Sequence, residues 1–199
     1  MSKLGIVCAM REEVQKIVAA LDLAPSDPIL GYNTFDSADI VLIESSIGKV
    51  ASAIATAALI EECQVERIIN IGLAGALSSI EAGQAFFIRS VTQHDAYIPF
   101  EAYQQDLYQR LDCSHPANEA TATLTTGDQF ITDTSAIDDR ADMVDMEGFA
   151  VAYTAKRYQV PTTLIKGISD DANSHSEQEL FDNLNLAMDK TIELLKKVV

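Results

Sequence analysis

Basic residues are scarce in this chain: 14 Lys and Arg stand against 30 Asp and Glu in 199 residues, a net charge of −16. A surface of that sign repels phosphate backbones and anionic lipid, so neither nucleic acid nor a membrane surface is an expected partner. Long apolar runs are missing too. The longest, Val50–Ile60, is rich in small residues and too short to span a bilayer. Cysteine is limited to Cys8, Cys63 and Cys113, an odd number without paired metal-like spacing. That pattern predicts free thiols in a reducing compartment. Cys8, inside an apolar run, reads as a core residue and not as a nucleophile. His94, His115 and His175 share no ligand spacing, so no metal is expected. No basic leader or cleavage site precedes Arg11-Glu12-Glu13, so Leu4–Met10 reads as a first strand, not a signal peptide. A cytoplasmic location is the expectation.

What is present is an alternation of two periodicities. Leu4–Ala9, Asn33–Phe35, Asp39–Glu44, Arg67–Ile71, Phe86–Ile88 within Gln84–His94, and Thr162–Ile168 read as strands. Ala122–Thr126 leads into a Gly127-Asp128 turn. Arg11–Leu21 carries Val14, Ile17, Val18 and Leu21 at helical spacing, and Pro25 and Pro28 break the helix. Lys49–Glu62, Gly148–Tyr158 and a terminal stretch from about Gln178 to Lys197 also read as helices. The last has Leu180, Leu184, Met188, Ile192 and Leu195 on one stripe, as an amphipathic surface helix would. Strands alternating with helices predict an α/β fold with a central mixed, largely parallel sheet flanked by helices, one domain over residues 1–199. Gly72 and Gly75 are read as the turn ending their strand. Glu101–Ala120 is polar and is expected as a loop of the kind that serves as a lid or subunit contact.

Two carboxylates stand out. Glu147 sits where the approach Met143-Val-Asp-Met146 turns into a helix, and Asp170 just past the apolar run Thr163–Ile168. In an open parallel sheet, ligands collect beyond the carboxyl ends of the strands, which is where Asp170 falls. Taken singly, they are a helix-start acid and a turn acid.

Taken together, Met146-Glu147 and Ile168-Ser169-Asp170 resemble the signature of the nucleoside phosphorylase superfamily, and specifically its hydrolytic branch, the methylthioadenosine/S-adenosylhomocysteine nucleosidases. Gly5–Val14 resembles that family's first strand and acidic turn, Ser46-Ile-Gly-Lys-Val50 its Gly-Ile-Gly-Lys-Val element, and Ile69–Ala76 its Asn-Thr-Gly-Ser-Ala-Gly-Gly block. Gly127-Asp-Gln-Phe-Ile131 completes a collinear set spanning nearly the whole chain. Two departures stand out: Leu73 where the relatives carry Ser, and Lys166 where they carry Arg. Ser46 replaces a Gly, a change that is tolerated unless the position needs positive φ.

The resemblance implies cleavage of the bond between ribose and adenine, with no cofactor. A neutral Asp170 carboxyl would donate to purine N7 while accepting from the 6-amino group, with Ser169 orienting it. An Asn would suit a 6-oxo purine better. Glu147 would accept from two ribose hydroxyls and stabilise positive charge on the sugar, with Met146 as an apolar wall. Glu13 would position and deprotonate the attacking water, although by pattern alone it is a first-turn acid complementing a helix dipole. Phe130 would stack on the base, and the Ile131 backbone would meet its edge. Lys166 would contact the same water or hold Glu13 ionised. A homodimer is implied, the segment Ile98–Tyr103, with Phe100 and Tyr103, reaching the neighbour's pocket. Three other readings stay open: a phosphate-dependent purine nucleoside phosphorylase, a hydrolase for a 6-oxo nucleoside such as futalosine, and a catalytically silent nucleoside-binding or storage relative.

Overall fold

The computed structural model describes residues 3–107, 109–137, 140–173 and 175–199. Its elements run β1 (Leu4–Cys8), α1 (Arg11–Leu21), β2 (Ala24–Ile29), β3 (Tyr32–Asp36), β4 (Ile40–Glu44), α2 (Lys49–Cys63), β5 (Arg67–Ala76) and β6 (Ala85–Gln93). Beyond β6 come α3 (Glu101–Leu107), β7 (Leu111–Asp112), β8 (Thr121–Thr126), β9 (Met143–Asp145), α4 (Gly148–Arg157), β10 (Thr162–Asp170) and α5 (Ser176–Leu195). All strands join one mixed sheet, as expected. The pairings β4–β1, β1–β5, β5–β10, β6–β8 and β8–β9 are parallel. Antiparallel pairings add the meander β4–β3–β2 at one edge and close β10 on β6 and β5 on β9.

Alternation along the strands decides which side chain meets which helix layer. Leu4, Ile6 and Cys8 of β1 pack with Val14 and Ile17 of α1 and with Leu184, Met188 and Ile192 of α5. Val7 points the other way, into a cluster with Ala55 and Leu59 of α2 and Val151 and Ala155 of α4. The sheet is thus covered on both faces, which is why its central strands read as continuous apolar runs. Gly167 lets α5 lie directly on β10, because a Cβ there would stand 2.8 Å from the Ala187 carbonyl oxygen.

Three local expectations are corrected. Pro25 and Pro28 do not mark a break alone. α1 ends at Leu21 with Asp22 in the left-handed conformation, and both prolines then sit in β2, the last strand of the sheet, where missing N–H groups are tolerated. Glu101–Ala120 is not all loop, since it contains α3 and the short β7. Neither has an apolar period long enough to be read in sequence. Gly72 and Gly75 form no turn; β5 runs straight through both to Ala76.

The continuous β5 locates the site. On one edge β5 pairs with β10 from Ile68 to Gly75. On the other it pairs with β1 only over Arg67–Asn70, and with β9 only at Gly75 and Ala76. Between those partners, residues 71–74 border a gap in the sheet.

Candidate active site

Glu13 fills that gap. It is the third residue of α1 and is 3 % exposed. One carboxylate oxygen accepts from the Leu73 backbone N–H at 2.8 Å, satisfying a donor that the split sheet would leave orphaned. The other accepts from the Met10 N–H at 3.1 Å and the Cys8 thiol at 3.3 Å. So Glu13 does cap its helix, as the helix-dipole reading holds, and it also faces the cavity. Burial raises its pKa from the ordinary carboxylate range, while the Leu73 N–H, the Lys166 ammonium and the Met10 N–H restrain the rise. Gly72 permits the approach, since a Cβ there would lie 3.0 Å from Glu13 Oε1. Leu73 therefore serves Glu13 through its backbone, which the Ser-to-Leu departure leaves intact.

Asp170 ends β10 rather than lying beyond it. The β5–β10 register slips between Ile168 and Asp170, a bulge that re-aims the carboxylate. Ser169 Oγ donates to Asp170 Oδ2 at 2.7 Å, and the Ala172 N–H donates to Oδ1 at 2.9 Å. Ala172 holds φ 48, a left-handed conformation that costs an Ala about 1 kcal/mol. A Cβ on Gly75 would stand 2.9 Å from Asp170 Oδ1. The two glycines of β5 thus lie under the two candidate catalytic carboxylates.

Glu147 is the N-cap of α4, and its Oε1 accepts from the Gly48 N–H, the N-cap of α2, at 2.9 Å. Burial and the neighbouring Asp145 carboxylate push its pKa up to about 7. The approach to Gly48 passes through Ser46 at φ 65, so this position does need positive φ, and Ser holds it under strain.

Beneath these groups lies a residue that sequence reasoning missed. Asp145 Oδ2 is 2.8 Å from Lys166 Nζ and accepts from the Gly148 N–H at 2.8 Å, while Oδ1 accepts from Thr126 Oγ1 at 2.6 Å. Burial opposes the Lys166 charge, yet Asp145, Glu147 and Glu13 together raise its pKa above the ordinary lysine value. Of the two roles expected of Lys166, holding Glu13 ionised accords with its charge lowering the Glu13 pKa. Its direct contact is with Asp145, and it is not among the residues that line the cavity. A signal was available, because Lys166 is a charge in the middle of an apolar strand and Asp145 ends another, and buried opposite charges must pair.

A cavity of about 310 Å³ opens over this floor, and its lining brings together Glu13, Glu147, Asp170, Ser169 and Met146 with Phe130 and Ile131. The loop bearing Phe130 and Ile131 is latched at Asp128. Its carboxylate meets the Lys49 N–H and ammonium, each at 3.3 Å, and its N–H donates to Asp95 at 2.7 Å. Lys49 also pairs with Asp95 at 2.6 Å. From α5, Glu177, Leu180 and Phe181 reach the mouth, where the sequence offered only an amphipathic stripe. Phe100 and Tyr103 lie outside the cavity, 64 % and 67 % exposed. Among the described residues no cluster of His, Cys, Asp and Glu could hold a metal ion, and no helix is long and apolar enough to cross a membrane.

The phosphorylase superfamily matches this chain over residues 3–199. The 5′-methylthioadenosine/S-adenosylhomocysteine nucleosidase of Shewanella sp. (strain W3-18-1) is 32% identical over 203 residues, spanning 87% of this chain and 88% of the relative. The S. pneumoniae nucleosidase of the same name, solved with a transition-state inhibitor, superposes with a TM-score of 0.84 at 28% identity, covering 97% of this chain and 96% of that one. The futalosine hydrolase of Helicobacter pylori strain 26695 has a TM-score of 0.86 at 23% identity, covering 98% and 96%, a likeness of fold alone. By the superfamily match and by relatives at this identity, the chain belongs to the phosphorylase superfamily, in the family of 5′-methylthioadenosine/S-adenosylhomocysteine nucleosidases.

Proposed function

We propose that the protein hydrolyses the N-glycosidic bond of adenine nucleosides, 5′-methylthioadenosine first and S-adenosylhomocysteine second, releasing adenine and the thioribose. A role in methionine salvage accords with those substrates. The observation that carries this reading is the convergence of three carboxylates on one cavity, Glu13, Glu147 and Asp170, each 7 % exposed or less. Each has a task that requires an acid.

Asp170, held by Ser169, donates a proton to purine N7 as the glycosidic bond lengthens. Phe130 stacks on the base, and the Ile131 backbone meets its edge. Glu147 binds the ribose hydroxyls and stabilises the positive charge that grows on the sugar, while Met146 covers the sugar face. Glu13 orients water toward the anomeric carbon and accepts its proton as the new C–O bond forms. Lys166 touches no substrate in this scheme; through Asp145 it supplies the one positive charge that lets so many acids share one floor. No cofactor takes part.

We also place the protein in the cytoplasm as a homodimer. The support for a reducing compartment is that Cys8, Cys63 and Cys113 are all free thiols. The support for pairing is exposed apolar surface: Ile47, Val50, Ile54, Tyr97, Phe100 and Tyr103 are each at least 44 % exposed. Phe100 and Tyr103 then reach the neighbour's cavity.

The function is tested by following adenine released from 5′-methylthioadenosine and hypoxanthine released from its 6-oxo counterpart. Adenine release in strong preference is expected. No turnover of either would favour the silent relative, and preference for the 6-oxo nucleoside would reject the adenine reading.

A further inference from the structure

With the base assigned to Phe130 and Asp170 and the ribose to Glu147, part of the cavity remains unused. That part includes Met10, Ile47, Leu180, Phe181 and Glu177. Four of these are apolar. Glu177 is an exposed carboxylate on the first turn of α5, three and four residues before Leu180 and Phe181, so all three share one helix face. The placement of that turn is set by the packing of α5 along α1. Lys16 Nζ lies 2.7 Å from Asp189 Oδ1 and 3.5 Å from the Asn185 carbonyl oxygen, and Val14 and Ile17 share a core with Leu184 and Met188. Moving back along both helices brings the Glu177–Phe181 turn toward Met10 at the start of α1. This is the end of the cavity left for the 5′ substituent.

The charge of the whole lining is one-sided. Among the described residues it holds five carboxylates, Glu13, Asp145, Glu147, Asp170 and Glu177, and no Lys, Arg or His. Lys166, the nearest buried cation, is committed to Asp145 below the floor. Four of the acids have work in the reaction or in pairing Lys166. Glu177 has none there, and with Leu180 and Phe181 it lines the end of the cavity left over once base and ribose are assigned.

We propose that Glu177 sets the specificity for the 5′ substituent, selecting adenine nucleosides whose 5′ thioether chain ends in a protonated amine over those ending in a carboxylate or phosphate. The proposal rests on the adenine nucleosidase reading above. An exposed ion pair supports an effect of about two- to fivefold. Attraction of an amine and repulsion of a carboxylate move their ratio in the same direction, so the ratio is expected near tenfold at low salt and lower at high salt.

The experiment compares kcat/KM for three adenosines of matched chain length, carrying butylthio, aminopropylthio or carboxypropylthio at the 5′ position. The amine-to-carboxylate ratio should fall severalfold in Glu177→Gln and invert in Glu177→Lys. A ratio near one in the wild type, or one that neither variant moves, overturns the proposal. If none of the three compounds, butylthio included, releases adenine, the nucleosidase reading has failed on its own. Calorimetric binding of the same compounds then decides for Glu177. Amine preference abolished by Glu177→Gln upholds its role in selection, and absence of that preference ends it.

Discussion

Lys166 and Asp145 meet at 2.8 Å beneath the cavity, with side chains 2 % and 1 % exposed, from neighbouring regions of the sheet that carry no other buried ion pair among the described residues. Their pairing helps explain how Glu13 and Glu147 can also be buried nearby, because the single ammonium offsets part of the rise that burial gives the pKa of each. Removing one partner of a buried pair leaves an uncompensated charge, at a cost of about 3–5 kcal/mol. Lys166→Met is therefore expected to lose stability on that order in urea unfolding at neutral pH. A loss within ~0.5 kcal/mol would show that the pair is not the keystone of the floor.

Glu147 is expected to couple pH to both stability and activity. Its folded pKa is raised from 4.5 to about 7. Its stabilising contribution is therefore complete below the unfolded value and is lost as the pH climbs through about 7. At pH 8 the native state carries a buried charge that the unfolded chain would solvate, and Glu147→Gln removes it. The variant should be more stable than wild type at pH 8 by roughly 2–3 kcal/mol, with the difference shrinking toward pH 4.5. It should at the same time lose ribose binding and turnover. For the wild type, kcat/KM should rise between pH 6 and pH 8 with a midpoint near 7, as Glu147 ionises. A flat profile, or a Gln variant equally unstable at every pH, would contradict this role.

Asp170→Asn keeps the shape of the acid but cannot give a proton to N7. Activity on adenine nucleosides should fall by about 10²–10⁴-fold. Turnover near that of wild type would remove Asp170 from the mechanism.

The dimer is tested by sedimentation at micromolar concentration. A two-subunit species is expected, and Phe100→Asp should weaken both association and activity. A wild-type monomer with full activity would mean that Phe100 and Tyr103 serve no neighbour.

Much of the architecture was legible because the buried strands are uninterrupted apolar runs and the helices carry clean stripes. Glu13, Glu147 and Asp170 were legible through motif blocks that the chain retains in order, and the structure gathers all three in one cavity. What escaped depends on long-range geometry. Gly72 and Gly75 carry the local signature of a turn, yet they are glycine because carboxylates from α1 and β10 press against β5. Pro25 and Pro28 read as a break because sequence does not reveal that β2 lies at the sheet edge. Asp145 was passed over, and Lys166 was assigned to Glu13 or its water without its partner, for the same reason: two charges 21 residues apart announce no partnership until strands β9 and β10 are folded around β5.

Glu13 carries the central claim, that water and not phosphate is directed at the anomeric carbon. A phosphorylase must hold a dianion there, and among the described residues the cavity lining offers it five carboxylates and no basic side chain. The most direct test is turnover of 5′-methylthioadenosine in phosphate-free buffer made with ¹⁸O-water, with the sugar product identified by mass. Full activity and one ¹⁸O in the free thioribose are expected. Activity that appears only with added phosphate, yielding a sugar 1-phosphate without the label, would contradict the hydrolytic role of Glu13 and promote the phosphorylase in its place.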